Sequence, residues 1–400
     1  MAERVSHGPT DPPIQRLSPW RFVVTFGVVS LLADIVYEGA RSVSGPFLGS
    51  LGAGAVLIGA VTAAGEASAL ILRLVSGPAA DRSHHYWGWA IGGYVITVIA
   101  VPALALPLGL LGVSVLIIAE RVGKAVRSPA KDALLAHAGT TMGRGKAFAV
   151  HEALDQTGAF AGPLLVAAAL AISGGYRLGF AILAIPGAIA IVILLWLARK
   201  VPEPAHYESH RQTDDGTALI KLPSEFWRYA GFTALTMAGF ATFGLVGYHL
   251  ASRHIVPDSV VPLIYAGAMG IDALAAIATG HLFDRLGLKV MAVLPVLAGV
   301  GTCLAFTASP ATAVTGALVW GAALGVQEST LRAGVAGLVP ANRRASAYGV
   351  FAAAYGVAWL AGGVTLGFLY EQSLSALIVV CIAIQAAALA MLFTTRKVTN

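Results

Sequence analysis

Long apolar segments constrain this 400-residue chain more than any other feature. A helix that crosses a bilayer needs about 20 mostly apolar residues. Twelve segments, numbered here as spans 1 to 12, approach or exceed that length: 20–46, 55–79, 87–107, 111–135, 147–172, 177–198, 226–250, 259–283, 288–308, 312–338, 345–369 and 373–394. Only 12% of the residues are charged, whereas soluble domains have about 25%. The chain is therefore predicted to be an all-α membrane protein with twelve transmembrane helices in the lipid bilayer.

Basic residues fall unevenly on the two sides of this predicted bundle. If the N-terminus is cytoplasmic, the cytoplasmic connections contain most of the lysines and arginines, and the opposite side contains only Arg177 and Arg253. The positive-inside rule then predicts that both termini are cytoplasmic. The protein is expected in the cell (plasma or inner) membrane. The net charge of +6 does not indicate a nucleic-acid partner, because no basic patch is interleaved with aromatic residues.

The longest polar stretch, 200–224, divides the chain in the middle and is predicted to be a cytoplasmic linker. Two landmarks recur across it at nearly the same offset: GPAADR (Gly77–Arg82) returns as GHLFDR (Gly280–Arg285), and RGKAFAV (Arg144–Val150) as RASAYGV (Arg344–Val350). Parallel six-helix halves of this kind are typical of transporters. The predicted units are two tails, two pseudo-symmetric halves and the linker, at 1–19, 20–199, 200–224, 225–395 and 396–400.

Charged residues are concentrated in particular spans. Spans 3, 6, 9 and 12 are almost free of charge and can face lipid, whereas a charge inside the membrane must face a cavity or a partner. The candidate residues for binding a solute and protons are therefore Asp34, Glu38, Arg41, Glu66, Arg73, Glu120, Arg121, Lys124, Arg127, Glu152, Asp155, Asp272, Glu328 and Arg332.

Helical spacing brings several of these charges together. Asp34, Glu38 and Arg41 share one face of span 1, and Glu120, Lys124 and Arg127 repeat that spacing on span 4. Carboxylates near mid-span can couple solute binding to protonation, and the bases can hold an anionic solute. The alternative is that these charges are fixed ion pairs that lock the N-terminal half together. The sequence leaves both interpretations open for any single residue.

A loop motif gives this pattern a family resemblance. GHLFDRLGLK at Gly280–Lys289 matches the signature G-x-x-x-D-R/K-x-G-R/K, and the chain resembles the major facilitator superfamily from residue 20 onward. The first copy, GPAADRSHH, departs where His84 and His85 replace the glycine and the final base. The resemblance implies two six-helix halves, alternating access, and a cytoplasmic gate formed by the motif residues Gly77, Asp81, Arg82, Gly280, Asp284 and Arg285.

Span 5 contains a second motif of this family. Gly158, Gly162 and Pro163 fit the core of G-x-x-x-G-P, which in the family is associated with antiporters, although Leu164 and Leu165 replace the glycine pair expected further on. The resemblance favours export. The same small residues also permit close helix packing, so the spacing alone does not decide between the two roles.

The sequence therefore predicts proton-coupled efflux of a small organic solute. The alternative is a proton-coupled uptake symporter for an organic anion or nutrient, favoured by the buried basic cluster; sodium as the coupling ion stays open. The protein is expected to be a monomer and to need no cofactor. Protons are the expected coupling ion.

Enzymatic and metal chemistry are not expected. The chain has no intact nucleophile–base or metal motif, and in the HEALD sequence Asp155 stands where a zinc protease has its second histidine. Histidines in polar loops, namely His84, His85, His206 and His210, are interpreted as solvated side chains rather than metal ligands.

Overall fold

The computed structural model describes residues 17–139, 143–201, 222–340 and 344–394. These residues form sixteen α-helices and no strand. The helices are α1 Pro19–Arg41, α2 Ser44–Ser50, α3 Ala55–Ile71, α4 Arg73–Ser83, α5 Tyr86–Ala103, α6 Leu110–Gly139, α7 Arg144–Ser173, α8 Tyr176–Ile182, α9 Ala184–Lys200, α10 Ser224–Ala238, α11 Phe243–Ser252, α12 Val261–Leu286, α13 Val293–Ala305, α14 Pro310–Leu338, α15 Arg344–Gln372 and α16 Leu374–Phe393. The predicted tails and linker, with His206 and His210, lie largely outside the described residues.

These helices form the twelve predicted spans. Spans 1, 2, 6 and 7 each consist of two consecutive helices (α1–α2, α3–α4, α8–α9 and α10–α11), span 9 begins with the 3₁₀ turn Gly287–Ala292, and the other spans are single helices. By length and composition, nine stretches of the described residues can cross a membrane, and one of them, 258–305, contains both span 8 and span 9. The predicted all-α fold with twelve membrane helices is confirmed.

The breaks in spans 1 and 6 lie beside prolines. Pro46 and Pro186 each lack a backbone N–H and follow the breaks in spans 1 and 6 by a few residues. In span 7 the break between α10 and α11 frees backbone carbonyls inside the bundle. Side chains satisfy three of them, because Trp359 Nε1 donates to Phe240 O (3.2 Å), Trp320 Nε1 to Ala241 O (2.8 Å) and Cys381 Sγ to Gly239 O (3.0 Å).

The spans form two six-helix halves, and each half has its own apolar core. In the N-terminal half, buried residues such as Phe22, Tyr94 and Leu194 pack together. Phe243 and Trp320 belong to the core of the C-terminal half. The halves meet where span 1 contacts span 7, span 2 contacts span 11, and span 5 contacts span 8.

The interface between the halves is tight on one side, which we call the closed side; it contains residues 51–54 and 253–257. A Cβ on Gly45 would collide with Gly244 O, and one on Gly59 with Gly363 O, so the backbones touch across the interface. Two polar contacts join the halves at this edge. Glu371 accepts a hydrogen bond from the Val56 N–H (3.0 Å), and the Tyr176 hydroxyl donates to Asp258 (2.5 Å).

Candidate functional site

A cavity of about 1050 Å³ separates the halves beyond this contact. It reaches Asp81, Asp132 and Tyr348 near the opposite ends of the spans, which we call the open side. Among the described residues, spans 6, 9 and 12 contribute nothing to its lining and span 3 contributes only Tyr94, in agreement with the predicted lipid-facing helices. Every predicted solute-binding or proton-binding residue lines this cavity except Glu120 and Arg121.

An ion-pair network links spans 1, 2 and 4 at the cavity. Arg41 lies 2.7 Å from Glu66 and 3.4 Å from Glu38, and Arg121 lies 3.7 Å from Glu66 and 3.1 Å from Glu120. Each of these carboxylates is therefore already beside a guanidinium. For Glu38, Glu66 and Glu120, the geometry therefore matches the interpretation that the charges form fixed ion pairs.

Glu120 and Arg121 line a separate cavity of about 40 Å³ on the closed side of Arg41. Glu120 Oε1 and Arg121 Nη1 are buried and have no hydrogen-bond partner among the described residues. Charged residues form part of the lining of this cavity, and it has room for a water molecule. The sequence placed Glu120 on the same helix face as Lys124 and Arg127. Span 4 continues past the end of the central cavity, so Lys124 and Arg127 line that cavity and Glu120 does not.

Asp155 is also held by neighbours. Lys131 Nζ lies 3.2 Å from Asp155 Oδ2. His151 Nδ1 is 3.2 Å from Asp155 Oδ1, although not in hydrogen-bonding geometry, and its Nε2 is 3.3 Å from Ser30 Oγ. This cluster joins span 5 to spans 1 and 4 and leaves Asp155 with a fixed partner.

The basic residues differ in how firmly they are held. Arg127 donates to Thr97 (2.8 Å) and lies 5.1 Å from the ring centroid of Tyr37 and 4.9 Å from that of Tyr94. It is only 4% exposed, so its main contacts are within the protein. Lys124 is 4.4 Å from the Tyr37 centroid, and Arg73 donates to Ser128 (3.2 Å) while its Nε has no partner among the described residues.

Two buried carboxylates line the cavity without any such partner. Asp34 is 6% exposed and Asp272 1% exposed, and neither forms a hydrogen bond or ion pair with a described residue. Glu328 and Arg332 share a helix face but do not form an ion pair in the described part of the chain. Glu152 accepts a hydrogen bond from Gln156 (3.3 Å).

The glycines of span 5 pack against span 1. A Cβ on Gly158 would meet Leu31 O and lie 2.8 Å from Asp34 Cβ, and one on Gly162 would meet Ile35 O. Pro163 lies inside the same helix. The motif therefore brings the backbones of spans 1 and 5 together beside Asp34, which is the packing role that the sequence left open.

The loop motif lies on the open side. Gly77 lines the cavity mouth, and Asp81 accepts a hydrogen bond from the Tyr86 hydroxyl (3.2 Å). A Cβ added at Gly280 would meet nothing within 4 Å. The remaining motif side chains are exposed and form no ion pair with any described residue: Arg82, Asp284 and Arg285.

Sequence reasoning missed the aromatic residues of the site. Tyr265 on span 8 donates a hydrogen bond to Glu38 on span 1, across the two halves. Phe351, Tyr355 and Trp359 line the cavity from one face of span 11, at i, i+4 and i+8. That spacing was visible in the sequence, but uncharged aromatics in an apolar helix do not stand out. Charged residues were missed too: Lys131 and Asp132 continue the charged face of span 4.

Comparison with known proteins agrees with this architecture. The sequence profile of the Major Facilitator Superfamily matches residues 26–362. An uncharacterized protein of Mycobacterium tuberculosis is 54% identical over 384 residues, which are 95% of this chain and 94% of that protein.

Solved transporters share the fold. A mutant of the nucleoside transporter NupG is similar with a TM-score of 0.76 at 16% identity, over 95% of this chain and 100% of that one. A bacterial homolog to the human lysosomal transporter Spinster, inward-facing and unoccupied, gives 0.66 at 15% identity, over 97% and 96% of the two chains. The chain therefore belongs to the major facilitator superfamily and is a multi-pass membrane transporter rather than an enzyme.

Proposed function

We propose that this transporter is a proton-coupled exporter that exchanges a small organic solute for protons. The observation that carries the proposal is Asp34, a cavity-lining carboxylate without a hydrogen-bond or ion-pair partner among the described residues. A carboxylate inside a membrane protein is neutralised by a partner, a proton or a bound cation. Because Glu38 and Glu66 already have guanidinium partners, Asp34 is the carboxylate of spans 1 and 2 most available to a proton.

The direction of transport is inferred from two features. Arg177 and Arg253 are on the closed side, and Arg82 and Arg285 are on the open side, so the positive-inside rule favours a cytoplasmic open side with both termini inside. Gly158, from the antiporter-like motif, contacts Asp34 directly. A cytoplasm-facing cavity that collects solute and returns protons fits export by a monomer in the cell membrane.

The test is proton movement in proteoliposomes with an acidic lumen. Adding a transported solute outside should release lumenal protons from wild-type vesicles, and Asp34→Asn should remove that release while the purified protein still elutes as a folded species. Glu225→Gln, a neutralising change at a residue outside the cavity, should keep proton release near the wild-type level. Equal release from Asp34→Asn and wild type would overturn the assignment of Asp34. Solute transport driven by a sodium gradient alone, without proton release, would replace protons as the coupling ion.

A second candidate is uptake of an organic anion together with protons. Arg73, whose Nε has no partner among the described residues, and Lys124, which is held mainly by the Tyr37 ring, favour it because both line the cavity. In the same assay an external anion would then carry protons into the lumen, and Lys124→Gln would abolish this entry. Arg127→Ala should affect all solutes rather than anions alone, because it removes the structural contact of Arg127 with Thr97.

A further inference from the structure

Three carboxylates line one wall of the central cavity. Glu152 comes from span 5, Asp272 from span 8 and Glu328 from span 10. Span 8 packs against both of the other spans. A Cβ on Gly325, one turn before Glu328, would collide with the backbone oxygen of Asp272, so these two residues lie on helices in direct contact. Asp272 interacts electrostatically with both Glu328 and Glu152.

This acidic wall is not neutralised by described residues. None of its carboxylates forms an ion pair with a described base. Arg41 and Lys124 act electrostatically on Glu328, but Arg41 is paired with Glu66, and Lys124 lies over the Tyr37 ring. Glu38 adds a further negative charge nearby, and Arg332 lies one turn beyond Glu328, towards the open side.

Buried acceptors on the same wall also lack donors. Asp272 is 1% exposed, and its Oδ1 has no hydrogen-bond partner among the described residues. Gln327 precedes Glu328, is 8% exposed, and has an unpartnered Oε1. Both residues line the cavity. An unsatisfied buried acceptor is costly, so a wall with two of them suits a ligand that brings donors and positive charge.

Next to the carboxylates the cavity becomes aromatic. Tyr355 and Trp359 are stacked with centroids 5.5 Å apart and an interplanar angle of 11°. Tyr355 interacts electrostatically with Glu328, and Trp359 donates its N–H to Phe240 O. Met269 and Leu324 complete an apolar surface beside the acidic wall. Aromatic rings bind organic cations as well as apolar groups.

We propose that this wall binds the transported solute and that the solute is an organic cation. The carboxylates of Glu152, Asp272 and Glu328 receive its positively charged head, and Tyr355 and Trp359 receive its apolar or aromatic body. Within the described residues, no group of His, Cys, Asp and Glu could hold a metal ion. The assignment rests on the exporter function proposed above and names its substrate class.

The assignment gives the solute and the proton to different residues, and most of the solute wall belongs to the C-terminal half. Asp34 belongs to span 1 of the N-terminal half, whereas two of the three wall carboxylates belong to spans 8 and 10 of the C-terminal half. Binding of a cation therefore does not require Asp34 to be vacated first. Binding can be measured without any proton gradient, which separates the substrate class from the coupling mechanism.

The experiment is equilibrium binding of radiolabelled tetraphenylphosphonium to purified full-length protein in detergent, with excess unlabelled cation to correct for partition into micelles. We expect saturable binding to wild type. Asp272→Asn and Glu328→Gln should each weaken it by about tenfold or more, the effect of losing one charge-assisted contact. Glu225→Gln, a matched change at a surface residue that lies 3.4 Å from Arg228, should stay close to wild type.

Glu152→Gln is the third variant of the wall and guards against misfolding, because Glu152 is exposed to the cavity and its removal does not leave a buried atom unpaired. It should also weaken binding and keep the wild-type elution profile. Absence of saturable binding to wild type, or equal binding to all three wall variants and wild type, would overturn the inference. Cation binding that is lost in the wall variants, together with no proton movement in vesicles, would support the inference and refute only the proposed coupling.

Discussion

Arg41 Nη2 lies 2.7 Å from Glu66 Oε1, and this ion pair joins span 1 to span 2 where the central cavity ends. The same guanidinium lies 3.4 Å from Glu38, which accepts a hydrogen bond from Tyr265 on the other half of the protein. The charges of the N-terminal half are thus connected to a contact that the two halves share. Opening of the closed side must break the contact between Glu38 and Tyr265.

Tyr265→Phe should therefore favour the state in which the closed side opens. A hydrogen bond to a charged group contributes about 1.5 kcal/mol or more, which corresponds to roughly a tenfold shift between the two states. Double electron–electron resonance between spin labels at Ser50 and Arg253, both exposed on the closed side, measures the change, after Cys303 and Cys381 are replaced. A longer distance should gain population. A distribution like that of the unsubstituted protein would show that this contact does not hold the halves together.

Removing one member of the Arg41–Glu66 pair should destabilise the protein. Glu66→Gln leaves Arg41 and Arg121 with fewer counter-charges, and the loss should be about 1.5 to 3 kcal/mol of unfolding free energy, because the pair is partly exposed to a cavity. The double variant Arg41→Met, Glu66→Leu should recover most of it, since a paired charge can be replaced by apolar groups of similar volume. Thermal unfolding in detergent of the double variant and of the two single variants Arg41→Met and Glu66→Leu completes the double-mutant cycle. Additive losses in the cycle would refute an energetic coupling between the two residues.

The sequence was sufficient for the membrane fold because the spans are defined by apolar length. The predicted span 111–135 is the helix Leu110–Gly139, and 177–198 corresponds to Tyr176–Lys200. The predicted spans differ from the helices of the structure at their ends. The first two predicted spans stop short of Ser50 and Ser83. Polar residues and helix breaks interrupt the apolar pattern near the bilayer surface, although the helical segment continues beyond them.

The candidate site was predictable in part. Charge in an apolar helix singles out a residue, so Asp34 and Asp272 could be found without a structure. Which charges are paired depends on contacts between helices that are distant in sequence. The spacing of residues within one helix does not predict these contacts. Tyr265 and Glu38 are separated by 227 positions, and the tyrosine has no formal charge to mark it. The acidic wall that we assign to the solute likewise exists only after spans 5, 8 and 10 pack together.

Gly45 tests the tight contact on the closed side. A Cβ there would collide with the backbone oxygen of Gly244, and backbone cannot move aside as a flexible side chain can. Gly45→Ala should therefore separate the halves and lengthen the Ser50–Arg253 distance. Gly92→Ala is the matched control, because a Cβ at Gly92 meets nothing within 4 Å. An unchanged distance in Gly45→Ala would mean that the interface adjusts without opening.

Asp284 tests whether the loop motif stabilises the other conformation, in which the open side is closed. It is exposed on the open side and forms no ion pair with any described residue, so it contributes little to the conformation described here. The family resemblance assigns this aspartate to the gate that closes the open side, where a carboxylate near a helix N-terminus is favoured. Asp284→Asn should therefore weaken only the other conformation and increase the population of the present one.

Spin labels at His85 and Leu286, exposed on the open side of the two halves, report this population. Asp284→Asn should enrich the longer distance there and the shorter distance between Ser50 and Arg253, while the unfolding free energy changes by less than about 0.5 kcal/mol, as is usual for a surface substitution. Glu225→Gln, a surface change outside the motif, should alter neither distance. If Asp284→Asn matches Glu225→Gln at both label pairs, the carboxylate has no part in gating, and the motif in this chain keeps only its sequence resemblance.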